Sequence, residues 1–154
     1  MILANSELMR LSESRVMEIF NVDEELLMEI VAVKVADRIL KITGNVKDKH
    51  FLVFAGRGKN GGDAIAIARH LILQGARISA FLIDDGGGSF SPLLQLQIDR
   101  LKKIAPDSMR DFDFQEIRGD FVIDGLFGTG FKGEMREPYN SVVRYINNLN
   151  IPII

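Results

Sequence analysis

The sequence predicts an α/β domain built around a mostly parallel sheet, and three observations carry that expectation. Apolar runs rich in β-branched and aromatic residues alternate along the chain with segments of helical periodicity. Two of those runs, residues 51–55 and 121–126, pass directly into glycine-rich stretches, the junction at which a strand turns over into a helix. The chain has 154 residues, 47% of them hydrophobic, which is enough for one domain with a substantial core. Strands that alternate with helices imply right-handed crossovers and a sheet covered on both faces.

Taken in order, residues 6–20 place Leu8, Met9, Leu11, Val16, Met17, Ile19 and Phe20 among charges, the pattern of a short helix ending near Asn21. A second helix follows as far as Ile42. Asp23 suits its N-cap, and Glu24 and Glu25 favour the positive end of the helix dipole. On this helix Lys34, Asp37, Arg38 and Lys41 make one narrow polar stripe, while Leu26, Leu27, Ile30, Val31, Val33, Val35 and Ile39 cover much of the rest. It is therefore expected to pack on more than one side. The sheet is the simpler cover for the excess apolar surface, and a second copy in a homodimer is the alternative.

Past Gly44 the chain reads as a strand at 50–55, a helix at 63–74 closed by Gly75, and a strand at 77–83. A turn occupies 84–89, and Pro92 opens a helix to about Ile104, with Pro106 beyond its end. A short strand at 112–117, a stronger one at 121–126, a helix at 138–148 and a strand-like tail at 151–154 complete the reading. The Phe and Met residues read as core.

Composition excludes several classes of function. Lys plus Arg (19) nearly balance Asp plus Glu (21), so no basic footprint for nucleic acid exists. The absence of cysteine removes disulfides, thiolate metal sites and a cysteine nucleophile. The first ten residues lack a charged flank leading into an apolar leader, and no apolar run is long enough to span a bilayer, so a soluble, cytoplasmic protein is expected. His50 and His70 lack the spacing of a metal pair; His70, beside Arg69, reads as a surface or packing residue.

Two constellations carry chemistry. In Gly56-Arg57-Gly58-Lys59-Asn60-Gly61-Gly62-Asp63 the glycines allow positive φ and close backbone approach, and a following helix would present its N-terminus to an anion. The Walker pattern is absent, because no Ser or Thr follows a Gly-Lys pair, which disfavours a hydrolase or phosphotransferase. Ligand binding and tight packing explain this stretch equally well on its own. The second constellation, residues 124–134, sets Asp124 at a strand end before Gly125, Gly128, Thr129, Gly130 and Gly133. It reads as the same solution repeated on the edge where open parallel sheets bind ligands. Asp124 could equally cap its own turn, and Lys132 and Arg136 could simply be solvated.

With both stretches in view the chain resembles the YjeF N-terminal domain family, the NAD(P)H-hydrate epimerases. Members typically carry G-x-G-N-N-G-G-D-G before A-R-H-L; here Gly56 to Ala64 leads to Ala68-Arg69-His70-Leu71. They also carry D-A-L-x-G-T-G-x-x-G and then R-E-P-Y, against Asp124 to Gly133 and Arg136-Glu137-Pro138-Tyr139. Leu27-Met28-Glu29 is similar to the start of the family's L-M-E-N.

The resemblance implies a Rossmann-like, three-layer αβα fold with two N-terminal helices. It also implies an isomerase of nicotinamide nucleotide repair, which interconverts the R and S epimers of hydrated NADH or NADPH for a companion dehydratase, separate or fused. A potassium ion is implied, with Asn60 and Asp124 as its oxygen ligands. Lys59, Asn60, Gly61, Gly62 and Asp63, together with Gly128, Thr129, Gly130, Phe131, Lys132, Gly133 and Glu134, are implied to bind substrate. No catalytic residue is assigned.

Three positions depart from the family pattern: Lys59 and Ile30 replace asparagines, and Ala64 replaces a glycine. The family continues into D-I-P-S-G, which supplies a substrate aspartate and a potassium-binding serine, and this chain stops before it. The chain is thus expected to be a single domain, residues 1–154, incomplete at its C-terminus. The alternative function is a noncatalytic nucleotide-binding or interaction module derived from the family.

Overall fold

The structure, a computed structural model, describes residues 5–115 and 117–154. Residues 1–4, part of the stretch read above as leaderless, and Glu116, inside the strand expected at 112–117, lie outside the described residues. Helix α1 spans Ser6–Phe20 and α2 spans Glu24–Thr43. Each begins where a side-chain oxygen accepts an otherwise unpaired first-turn N–H: Asn5 Oδ1 from Leu8 and Asp23 Oδ1 from Leu26, both at 2.8 Å. They end on left-handed residues, Asn21 at φ 50° and Gly44 at φ 70°.

The chain then runs through β1 (His50–Ala55), α3 (Lys59–Leu73), β2 (Arg77–Leu82), α4 (Pro92–Ile104) and a 3-10 turn (Pro106–Ser108). It finishes with β3 (Met109–Arg110), β4 (Phe121–Gly125) and α5 (Tyr139–Asn148). The strands lie in the order β3-β2-β1-β4, all parallel, with His50 opposite Arg77 and Phe51 opposite Phe121. The tail extends the sheet as expected: Ile153 bridges Val122, and Ile154 N donates to Val122 O at 2.9 Å.

Side chains alternate across the sheet, so one strand feeds two cores. Phe51, Val53 and Ala55 face α2, α3 and α4, whereas Leu52 and Phe54 face α5 through Tyr139, Val142 and Ile146. Ala64, whose methyl meets Gly125, and Ala68 one turn on keep α3 close to the sheet, and burial of Ile65 and Leu71 supplies roughly 1.5–3 kcal/mol per side chain.

Four expectations are corrected. Helix α3 starts at Lys59 rather than Asp63, so Gly61 and Gly62 are helical and buried. The strand expected at 112–117 is displaced: only Met109 and Arg110 pair with β2, and Phe112 instead joins a ring cluster with Phe54, Phe81 and Tyr145. Met9, Phe20, Phe114 and Phe131 are exposed rather than core, because the surfaces they lie on have no second layer packed over them. Helix α2 buries a single stripe, Met28, Ala32, Ala36 and Ile39, while Leu26, Ile30, Val31 and Val33 stay exposed. The sheet therefore does not account for its excess apolar surface, and α1 adds Leu8, Leu11, Ile19 and Phe20 to the same exposed set.

Candidate functional site

With β2 and β4 on opposite sides of β1, the C-terminal ends of β1 and β4 are the topological switch point of the sheet, the place where open parallel sheets bind ligands. Both glycine-rich stretches emerge there. Gly56 N donates to Gly125 O at 3.0 Å, and the Asn60 side chain crosses to the second stretch, its Nδ2 donating to Phe127 O at 2.8 Å.

The glycines of the first stretch serve packing more than backbone freedom, since none of them has a positive φ. A Cβ on Gly56 would collide with the Leu126 carbonyl, one on Gly61 with the Gly56 carbonyl, and one on Gly125 with the Ala64 methyl. Gly62 lies against Met28 and the backbone of Leu94. Gly58 is different: its backbone is extended, and nothing lies within 4 Å of where its Cβ would be. Neither packing nor conformation requires glycine there.

Gly58 is also the N-cap of α3 and supplies no side-chain hydrogen bond. The contrast with the other helices is informative. Ser91 caps α4, and the Glu137 carboxylate accepts from Ser141 N at the start of α5, just as Asn5 and Asp23 serve α1 and α2. The first-turn N–H groups of α3 thus face the open side of Gly58 without a side-chain acceptor, at the positive end of the helix dipole.

Helical geometry divides the residues predicted to bind substrate. Asn60 faces β4, but Lys59 and Asp63, four residues apart on a neighbouring face, turn toward α2. Lys59 pairs with Glu24. Asp63 is partly buried, and that burial, reinforced by the charges of Glu13 and Glu24, pushes its carboxyl up to about 6. Asp124 does cap its own turn, its Oδ1 accepting from Leu126 N at 3.0 Å, while the residue remains exposed.

The second stretch does not repeat the solution of the first. Thirteen residues, 126–138, separate β4 from α5, so no helix starts within the glycines. It is anchored by rings instead: Phe131 on Phe127 at 4.3 Å and Phe127 on Tyr139 at 4.8 Å, with Tyr139 donating to Ile83 O. Gly128, Thr129, Gly130, Lys132, Gly133 and Glu134 are all exposed.

Two features escaped the sequence reading. Arg57 reaches from the end of β1 to the loop after β2, where its Nη1 donates to Asp85 at 2.7 Å and its Nε lies 3.3 Å from Asp84. The Arg57 hydrogen bond holds the Asp85 carboxyl below its ordinary value. Opposite charges at the ends of two adjacent parallel strands were the available signal. The second is Glu29, which receives Arg69, His70, Gln97 and Arg100 from α3 and α4. Burial would raise its pKa, but these hydrogen bonds outweigh it and bring the carboxyl down to about 2. His70 therefore takes the packing role that its sequence context allowed, as a strut in this polar cluster.

Asn60 Oδ1 and Asp124 Oδ2 accept no hydrogen bond from the described residues, and both are hard oxygen donors suited to an alkali cation. Among the described residues no group of three or more His, Asp or Glu side chains comes together around a metal position. Nor is any helix among them long and apolar enough to cross a membrane.

Comparison with known proteins places this geometry. The family model described as "YjeF-related protein N-terminus" matches residues 24–154. An NAD(P)H-hydrate epimerase of Nitrosopumilus maritimus is 33% identical over 132 residues, covering 80% of this chain and 59% of that protein. A bifunctional NAD(P)H-hydrate repair enzyme Nnr of Archaeoglobus fulgidus is 36% identical over 134 residues, 84% of this chain and 26% of that one. The crystal structure of yeast ynu0 (YNL200c) superimposes with a TM-score of 0.81 at 25% identity, covering 99% of this chain and 68% of that one. The chain thus spans between about a quarter and two thirds of the proteins it resembles. A match across most of the described fold, both glycine-rich stretches included, makes this chain a member of the YjeF-related N-terminal family.

Proposed function

We propose that this chain carries the site of an NAD(P)H-hydrate epimerase, acting on hydrated NADH or NADPH. The observation that carries the proposal is the uncapped N-terminus of α3, open at Gly58 and tied to the second stretch through Asn60 and Phe127. A pyrophosphate there would receive the free first-turn N–H groups and the helix dipole. The exposed residues 128–134 would then close over the nicotinamide end.

Asn60 and Asp124 would hold a potassium ion through their uncommitted oxygens, which would supply positive charge beside the phosphates. Epimerisation requires the ring hydroxyl to leave and return on the other face, with a proton supplied at departure. Asp63 has a suitably raised pKa but faces α2. In this reading the proton therefore travels through water at the crevice. The Lys59 charge is offset by Glu24, so Lys59 is not the main phosphate ligand.

The companion we propose is a dehydratase, separate or fused, in keeping with relatives named as bifunctional repair enzymes. The place of action we propose is the cytoplasm. We also propose a homodimer through the exposed apolar faces of α1 and α2. An antiparallel copy of α1 would set Arg10 against Glu18 and Glu13 against Arg15, so the helix is complementary in charge to itself.

The test is a coupled assay, in which the protein is added to an S-selective dehydratase working on racemic hydrated NADH. The R epimer should vanish faster than it does spontaneously. Folded protein with no acceleration would contradict the proposal, and binding without turnover would point to the noncatalytic module.

A further inference from the structure

A cavity lies along the same sheet edge, at the C-terminal ends of β2 and β3. Its volume is about 550 Å³, within the range of roughly 300–1,000 Å³ usual for small-molecule sites. We propose that it seats the adenosine end of the dinucleotide, with the base stacked on Phe114 and with Lys102 and Arg110 reaching the adenosine-side phosphate of the same pyrophosphate that α3 receives. This rests on the dinucleotide reading above and adds a subsite to it.

Three observations converge on the cavity. The first is continuity. Asp84 lines it and is also the ion-pair partner of Arg57, which is the residue before Gly58. The crevice at β1 and β4 and the seam of β2 and β3 are two strand spacings apart, about 10 Å, a distance that the two halves of a dinucleotide span.

The second is the ring wall. Phe112 and Phe114 both line the cavity with centroids 4.6 Å apart. Phe112 is fixed beneath by Phe54, Phe81 and Tyr145. Phe114 is 47% exposed and sits in the left-handed region at φ 59°, which bulky residues rarely adopt. Phe112 and Tyr145 hold one side of the ring, and its exposed remainder gives a heteroaromatic base a platform.

The third is charge. Lys102 and Arg110 reach the cavity, and among the described residues neither is in an ion pair with a carboxylate. Asp84 is already committed to Arg57. Asp111 on the same wall offers an acceptor for the ribose hydroxyls, the role acidic residues near this edge play in parallel nucleotide-binding sheets.

The experiment titrates the full chain with AMP and with ribose 5-phosphate by calorimetry, and measures epimerisation of hydrated NADH alongside. AMP should bind more tightly than the sugar phosphate. Phe114→Ala should weaken AMP by about tenfold, the usual effect of removing one stacking ring, and should raise KM for the hydrate while leaving kcat in place. Arg110→Glu provides an independent variant should Phe114→Ala disturb the fold, which circular dichroism would show, and it should weaken AMP similarly. If the wild type epimerises the hydrate yet neither variant alters AMP affinity or KM, the subsite is wrong and the reaction stands. If AMP binding depends on Phe114 and Arg110 in a chain without epimerase activity, the reaction is wrong and the nucleotide subsite stands.

Discussion

The two glycine-rich stretches lie at the ends of neighbouring strands, yet they are built by opposite means. In the first, only three residues separate the strand from the helix, and Gly56 and Gly61 press backbone against backbone. The second leaves β4 as a long exposed segment anchored by two ring contacts, with open space around Gly130 and Gly133. Similar composition therefore conceals different roles. In the function proposed above, the first stretch would serve as a rigid anion seat and the second as its cover.

The sharpest way to break that distinction is to add a methyl group to each kind of glycine. Gly56→Ala or Gly61→Ala should cost more than about 3 kcal/mol in urea unfolding, because a backbone carbonyl must move. Gly130→Ala should change stability by less than about 1 kcal/mol, since nothing lies within 4 Å. Gly58→Ala should likewise fold, while weakening hydrated NADH by tenfold or more. Equal destabilisation at all four positions would erase the distinction.

The support beneath the first stretch can be tested through Glu29. Its pKa is depressed in the folded state, so its contribution is present above the unfolded value of 4.5 and is lost as pH falls toward about 2. Glu29→Ala should cost about 2–3 kcal/mol at pH 7, because Arg69, Arg100 and Gln97 lose their shared acceptor. The variant's stability should also be flatter than that of the wild type between pH 4.5 and 2.

Asp63 behaves in the opposite sense. Its folded pKa of about 6 lies above the unfolded value of 3.8, so the folded chain keeps a proton that the unfolded chain releases, and stability falls as pH rises across that window. Asp63→Asn should therefore raise the melting temperature at pH 7 by about 2–4 °C and have no such benefit below pH 4. The smallest effect on folding belongs to the outer faces of α1 and α2. Ile30→Glu should leave stability within about 0.5 kcal/mol, and should convert the dimer proposed above to monomer in light scattering.

Much of this fold is legible in local sequence because its elements obey local rules. Asp23, Ser91 with Pro92, and Gly44 mark helix boundaries through hydrogen bonds that span only a few residues. Strands β1 and β4 show as apolar runs because both of their faces are buried. What escaped depends on distant partners. Gly61 and Gly62 disfavour a helix by intrinsic propensity, and only their contacts with Gly56, Met28 and Leu94 explain why α3 begins before them. The aromatic run near Phe112 carries strand propensity, but its rings are claimed by Phe54 and Tyr145. Glu29 meets partners 40 to 71 residues away, which no spacing rule reveals.

The site was legible as two stretches on one edge but not as a division of labour. Lys59 and Asp63 looked like members of one cradle with Asn60, and a turn of roughly 100° per helical residue sends them to another face.

The central claim is that the uncapped start of α3 receives the anionic part of a hydrated dinucleotide while the second stretch closes over it. Backbone amide NMR during titration with hydrated NADH tests it most directly. The account predicts the largest shifts at the amides of Lys59, Asn60 and Gly61, accompanied by residues 128–134. Shifts that leave the α3 amides in place and gather on another part of the surface would contradict it.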